Sequence, residues 1–163
     1  MSHVIHKFTR NVPLWQPRVT PVKLAEATQA QLDALQVTPS NTKVSDYVLT
    51  LAHDVESLSV RSPLFNAIMY GSGGMSRVER ELGALSVSMV NHCVYCAAVH
   101  ADRHAKLQKD TTVTDELFAK GEKANLCPRD RAIFNFARKS AESPSAAGSE
   151  DMDALWEAGL SDE

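Results

Sequence analysis

The chain has 163 residues, of which 44% are apolar and 23% charged, a composition that suits one folded domain with its own core and excludes wholesale disorder or a collagen-like repeat. No stretch approaches the ~20 continuous apolar residues of a membrane span, and the opening MSHVIHKFTRNVPLW lacks the apolar region of a secretory signal, so a cytoplasmic protein with no membrane role is expected. The net charge of −3 gives no general attraction for nucleic acid.

Residues 1–20 contain Pro13 and Pro17 and no helical period, and they read as an extended arm. The first 23 residues carry Lys7, Arg10, Arg18 and Lys23 without a single acid. Residues 21–163 read as one all-α domain. Thr20-Pro21 is a helix-start signal, but Thr28 and Gln31 have capping-box spacing, so the helix through Leu32 and Leu35 has two candidate starts. Pro39-Ser40-Asn41 is a loop. From Val44, the residues Tyr47, Val48, Leu51, Val55 and Leu58 recur at threes and fours and predict one amphipathic helix. Ser62-Pro63 is expected to restart it, with Leu64, Phe65, Ile68 and Met69 as the next buried stripe.

Gly71-Ser72-Gly73-Gly74 has neither a lysine nor a preceding strand, which makes it a helix end and linker rather than a phosphate loop. Ser76 and Glu79 then form a capping box opening a helix from Arg77 to Asn91, with Val78, Leu82, Leu85 and Met89 on one face. On it, Arg77 and Arg80 are placed for surface ion pairs with Glu81 worth only tenths of a kcal/mol. Asn91-His92 is a break. Further helices are predicted from about Cys93 to Leu107, from Thr114 to Lys120 with Gly121 as the stop, from Cys127-Pro128 through Ile133, Phe134 and Ala137, and from Ser149 through Leu155 and Trp156 to Gly159. Trp15 and Trp156 read as packing or interface residues. Residues 140–163 hold Glu142, Glu150, Asp151, Asp153, Glu157, Asp162 and Glu163 and no base; such an acidic tail can pair with the basic arm, though solvated ends are commoner. Ser161-Asp162-Glu163 resembles the opening of one more helix, as if the chain were cut short there. No segment alternates like a strand.

Chemistry concentrates on the cysteines. Three of them are too few for a secreted disulfide scaffold, and Cys127 has no Cys or His within seven residues, so it is read as structural. Cys93, Cys96, His100 and His104 stand at offsets 0, 3, 7 and 11, which at about 100° per residue form one stripe of a single helix. Thiols at i and i+3 are close enough to bridge. His100 follows Cys96 by four residues and can lean back over that sulfur, which nominates Cys96 as the activated thiol. The helix N-terminus favours Cys93 instead, and the imidazole is weighed as the stronger influence. If Asn91-His92 folds the two helices into a hairpin, Glu81 reaches the Cys-His face, and burial there suits a carboxylate to proton relay. The bland alternative is that Glu79 and Glu81 are both surface acids.

The run Glu81-Leu-Gly-Ala-Leu-Ser-Val-Ser-Met-Val-Asn-His-Cys93-Val-Tyr-Cys96-Ala-Ala-Val-His100 resembles the signature of the alkylhydroperoxidase D-like proteins of the carboxymuconolactone decarboxylase superfamily, in their peroxidase-related branch. The likeness covers roughly residues 60–107, and the arm Phe8-Thr-Arg-Asn-Val-Pro-Leu-Trp15 is similar to N-termini of that branch. A Glu twelve positions before a C-x-x-C, with a His four positions after it, is far more specific than C-x-x-C alone. The resemblance implies an all-α helical bundle with the C-x-x-C at the start of a central helix, assembled as a dimer, trimer or hexamer. It implies a peroxidase that needs no metal or other cofactor, taking a hydroperoxide as substrate and an external dithiol or thiol protein as reductant. It assigns Cys96 as the peroxidatic thiol, Cys93 as the resolving thiol, and His100 and Glu81 as the proton relay. Family members commonly carry another helix after the equivalent of Gly-Leu-Ser-Asp-Glu. The best-known members also have a second histidine between the cysteines, where this chain has Tyr95, whose phenol titrates near 10 and cannot shuttle protons at neutral pH. His92 and His104 are its candidate replacements, or else simple flank residues.

Two rival readings accompany this one. The ligand types of C-x2-C-x3-H-x3-H suit zinc, but four ligands along ~16 Å of one helix cannot all reach one ion, so at most two or three would bind, with Glu81 completing the set. A non-catalytic or decarboxylase-like member of the superfamily is the other, and the C-x-x-C argues against the decarboxylases, which lack it. A thioredoxin-like arrangement fails because the residues before Cys93 are helical by period.

Overall fold

Caps and breakers set the helix boundaries in the structure, a computed structural model that describes residues 6–35 and 44–162. The expected loop at Pro39-Ser40-Asn41 lies outside them. Regular structure among the described residues is entirely helical: α1 (Gln29–Leu35), α2 (Asp46–Leu51), α3 (Val55–Tyr70), α4 (Arg77–Val90), α5 (Val94–Gln108), α6 (Thr112–Lys120), α7 (Pro128–Glu142) and α8 (Ser149–Glu157), with three short 3-10 turns. The helices belong to two compact units, Leu14–Gly71 and Ser72–Glu163 together with Met1–Pro13.

In the first unit, Thr28 rather than Thr20-Pro21 starts the helix. The Thr28 amide donates to Gln31 Oε1 at 2.9 Å and the Gln31 amide donates to Thr28 Oγ1 at 3.3 Å, a reciprocal box, whereas the Thr20 carbonyl accepts from His53 Nε2 at 2.8 Å. The helix expected from Val44 is two. Ser45 caps α2, the chain turns at Ala52-His53-Asp54, and Asp54 caps α3 by accepting from the Ser57 amide at 3.0 Å. The restart expected at Ser62-Pro63 does not occur either. Because α3 is already nucleated from Asp54, Pro63 removes one hydrogen bond from a running helix and the helix passes through it. That continuation changes which face is buried: Leu58, Ser62 and Met69 turn inward, while Leu64 and Ile68 are 63% and 58% exposed. Val22, Ala34, Leu35, Ala52 and Leu58 form the core of this unit.

In the second unit, the Ser76 box is formed as expected. The Ser76 amide donates to Glu79 Oε2 at 2.6 Å, and the Glu79 amide donates to Ser76 Oγ at 3.3 Å. Replacing Ser76 by Ala is expected to lower the unfolding free energy by about 1 kcal/mol in a urea titration; no measurable change would mean water satisfies that turn equally well. Arg129 from α7 pairs with Glu79 and donates to the Gly159 carbonyl at 2.6 Å, joining the start of α4 to the end of α8. Burial opposes ionisation of Glu79, but the Arg129 bond and those from Ser76 prevail and hold its carboxyl below the ordinary value of 4.5. Leu82, Leu85, Ala97, Ala101, Leu117, Ile133 and Phe134 form the core, each large side chain contributing roughly 1.5–3 kcal/mol by burial. The inward residues Ala97, Ala98, Ala101 and Ala105 are small, which lets α5 lie close against α4. The arm joins this unit through Phe8, stacked on Phe118 at 5.8 Å and on His92 at 6.4 Å, and through an Arg10–Asp115 ion pair at 2.9 Å. Arg10 therefore pairs with α6 and not with the acidic tail, whose Asp162 accepts from Trp156 Nε1 at 2.7 Å.

Candidate active site

The turn between α4 and α5 is built from local hydrogen bonds. The His92 amide donates to Met89 O at 3.1 Å and the Cys93 amide to Ser88 O at 3.0 Å, with His92 in the left-handed region at φ +50°. Cys93 then becomes the N-cap of α5, its sulfur accepting from the Cys96 amide at 3.3 Å. Cys93 and Cys96 are joined as a disulfide with their Cα atoms 5.3 Å apart, inside the usual range for such a bridge. Both sulfurs thus sit in the first turn of a helix, where unpaired amides favour a thiolate once the bridge is reduced.

The hairpin brings Glu81 of α4 to His100 of α5, with Oε2 and Nδ1 2.5 Å apart. Glu81 is 0% exposed, so the surface-acid alternative is wrong for this residue. Its other oxygen pairs with Arg77, one turn earlier on α4, and Arg103 approaches that same oxygen only to 4.0 Å. The Arg77 pair is therefore no solvent-exposed contact: it neutralises a carboxylate that has lost all contact with water. Opposite an ionised carboxylate, which only accepts, Nδ1 is the donor in this contact and Nε2 is the ring nitrogen that Glu81 does not engage. Arg77 is the site residue that sequence reasoning undervalued. Its spacing to Glu81 was visible at i and i+4, but nothing local revealed that the pair would be enclosed.

The other candidate residues fall differently. Tyr95 is half-buried and His92 is exposed beside Phe8. His104 is no flank residue: it is 2% exposed, and its Nδ1 has no hydrogen-bond partner. Burial holds its pKa below the ordinary 6.5, against the opposing charges of Asp130, Glu81 and Asp110. The ring is neutral in the fold, so on acidification the unfolded chain takes up a proton that the folded chain excludes. Stability is then expected to fall as pH drops below about 6.5, down to the lower folded value, and the His104→Leu chain should lack that slope in urea titrations between about pH 8 and 5. An unchanged slope would assign the acid sensitivity elsewhere. Cys127 is exposed and caps α7, its sulfur accepting from the Asp130 amide at 3.5 Å. Among the described residues, no three His, Cys, Asp or Glu side chains converge as a metal site.

An all-α bundle whose helical hairpin carries a C-x-x-C disulfide beside a buried Glu–His pair defines a recognisable class. The sequence pattern of the carboxymuconolactone decarboxylase family matches residues 56–139, just over half of the chain, and the chain belongs to that family. Its fold is that of the alkylhydroperoxidase D-like proteins. It resembles the alkylhydroperoxidase AhpD core of an uncharacterized peroxidase-related protein from Ralstonia eutropha JMP134, with a TM-score of 0.77 and 28% identity over 91% of this chain and 80% of that one. An uncharacterized peroxidase-related protein from Silicibacter sp. TM1040 is similar at a TM-score of 0.72 and 25% identity, over 92% of this chain and 81% of the other. No curated protein matches the sequence. No helix among the described residues is long and apolar enough to cross a membrane.

Proposed function

We propose that this protein is a thiol-dependent peroxidase that reduces organic hydroperoxides through Cys96 and Cys93. In the reduced protein, His100 Nε2 takes the Cys96 proton, and the Cys96 thiolate attacks the distal oxygen of the hydroperoxide. The O–O bond breaks, Cys96 becomes a sulfenic acid, and the alkoxide leaves as an alcohol with the proton that His100 held. The Cys93 thiol displaces the sulfenic hydroxyl as water, forming the Cys93–Cys96 disulfide, and an external dithiol returns both sulfurs to thiols while becoming a disulfide itself. Peroxide is reduced by two electrons and the dithiol is oxidised by two.

The observation that carries this reading is the enclosed Glu81 holding His100 Nδ1 at 2.5 Å, one helical turn from a cysteine already bridged to its neighbour. A structural histidine needs no buried, Arg-neutralised carboxylate behind it, whereas a ring that must become imidazolium does. The likeness to peroxidase-related proteins points the same way. The test is to treat reduced protein with one equivalent of an organic hydroperoxide and count thiols. Loss of the two motif thiols with Cys127 retained is expected; survival of both would overturn the proposal.

A further inference from the structure

A stack of three rings ties the N-terminal arm to the cysteine turn. The Phe8 ring lies near-parallel to Phe118 of α6, with centroids 5.8 Å and planes 16° apart, and to His92, at 6.4 Å and 9°. Both separations fall in the range of offset-stacked aromatic pairs. Phe8 and Phe118 also pack against the core of this unit, so the stack fastens His92, an exposed turn residue, to the body of the fold.

The backbone of His92 is where such an anchor counts. Its φ of +50° lies in the left-handed region, which crowds a residue that carries a Cβ. The next residue is Cys93, whose place as N-cap of α5 brings its sulfur to both the Cys96 amide and the Cys96 sulfur. If His92 relaxed to an ordinary φ, Cys93 would swing off the cap and away from Cys96. We infer that Phe8 is a positioning residue for Cys93: by stacking on His92 it holds the turn in the conformation that presents this sulfur to Cys96. The step it serves, closure of the disulfide by the resolving thiol, rests on the peroxidase reading. The nearness of the two sulfurs is nevertheless an equilibrium property that can be measured without peroxide.

Two experiments separate the questions. In the first, the protein is equilibrated with glutathione, two glutathione thiols becoming one glutathione disulfide as Cys93–Cys96 becomes two thiols, and the motif thiols are alkylated and counted by mass spectrometry. Phe8→Ala is expected to shift this equilibrium toward the dithiol by about tenfold, and Phe8→Tyr, which keeps the ring, should match the unaltered chain. Arg10→Gln removes the arm's ion pair with Asp115 without touching the stack, and should shift it by less than about twofold. In a His92→Gly chain the stacked ring and the left-handed crowding are both gone, so Phe8→Ala should add nothing there. In the second experiment, reduced protein meets one equivalent of an organic hydroperoxide. Phe8→Ala should lose the Cys96 thiol at the unaltered rate and close the disulfide about tenfold more slowly, with the waiting sulfenic acid trapped by dimedone. An unshifted glutathione equilibrium, an Arg10→Gln effect as large as that of Phe8→Ala, a full Phe8→Ala effect in the His92→Gly chain, or closure at the unaltered rate would overturn the positioning role. A shifted equilibrium with no reaction of peroxide in any chain would leave that role standing and sink the peroxidase reading instead.

Discussion

Cys96→Ser is expected to consume organic hydroperoxide at least about 100-fold more slowly than the unaltered chain, while Cys93→Ser keeps the first step and stops at a sulfenic acid. The asymmetry follows from the helix. His100 stands four residues beyond Cys96 and seven beyond Cys93, so the imidazole is within one turn of the first sulfur and two of the second. A cysteine at its ordinary pKa near 8.5 is only a few per cent thiolate at neutral pH, and an adjacent base removes that limit. Cys93 keeps the amides of the helix N-terminus but no base at that distance. Stopped-flow consumption of hydroperoxide, with dimedone trapping followed by mass spectrometry, reads both steps. A Cys93→Ser chain slower than Cys96→Ser would exchange the two roles, and equal rates in both would mean that neither sulfur is activated.

The second large effect is expected at Glu81. Glu81→Gln preserves the shape but offers Arg77 and His100 an amide where they met a carboxylate, and the NH2 of that amide cannot accept. Loss of one partner from a fully buried ion pair costs about 3–5 kcal/mol, and because Arg77 and His100 each retain some contact with water, about 1–3 kcal/mol is expected here. The reaction of Cys96 with peroxide should also slow, by about 10²-fold at neutral pH, because the His100 imidazolium loses its counter-charge. That loss has a signature a purely structural role would not produce. As pH rises past the ordinary thiol value near 8.5, the thiolate forms without help, and the deficit of Glu81→Gln should close. A deficit that is constant with pH would make Glu81 a packing residue whose removal merely loosens the hairpin.

Much of this architecture was legible in the chain because helix starts and stops are local. Ser76 with Glu79, the break at Asn91-His92 and the stop at Gly121 involve partners within four residues, and each lies where spacing alone put it, while of the two starts that the sequence offered for the first helix the structure takes Thr28 with Gln31. The single stripe of Cys93, Cys96, His100 and His104 follows from the pitch of one helix in the same way. The errors share a different origin. The exposure of Leu64 and Ile68 depends on how α3 is set against α1 and α2, which a proline signal inside α3 cannot convey. Arg77 and Glu81 look like any surface i,i+4 pair until α5 covers them, and His104 looks like a flank residue until it is enclosed.

The sequence by itself determined the helices of the second unit, the hairpin turn and the spacing that sets two sulfurs and an imidazole on one side, since all of these arise from interactions a few residues apart. Only the tertiary structure decided which charged groups lose their water. Desolvation is a property of what packs from distant parts of the chain, and it makes Glu81 an enclosed, Arg77-paired acceptor for His100 and keeps the His104 ring neutral.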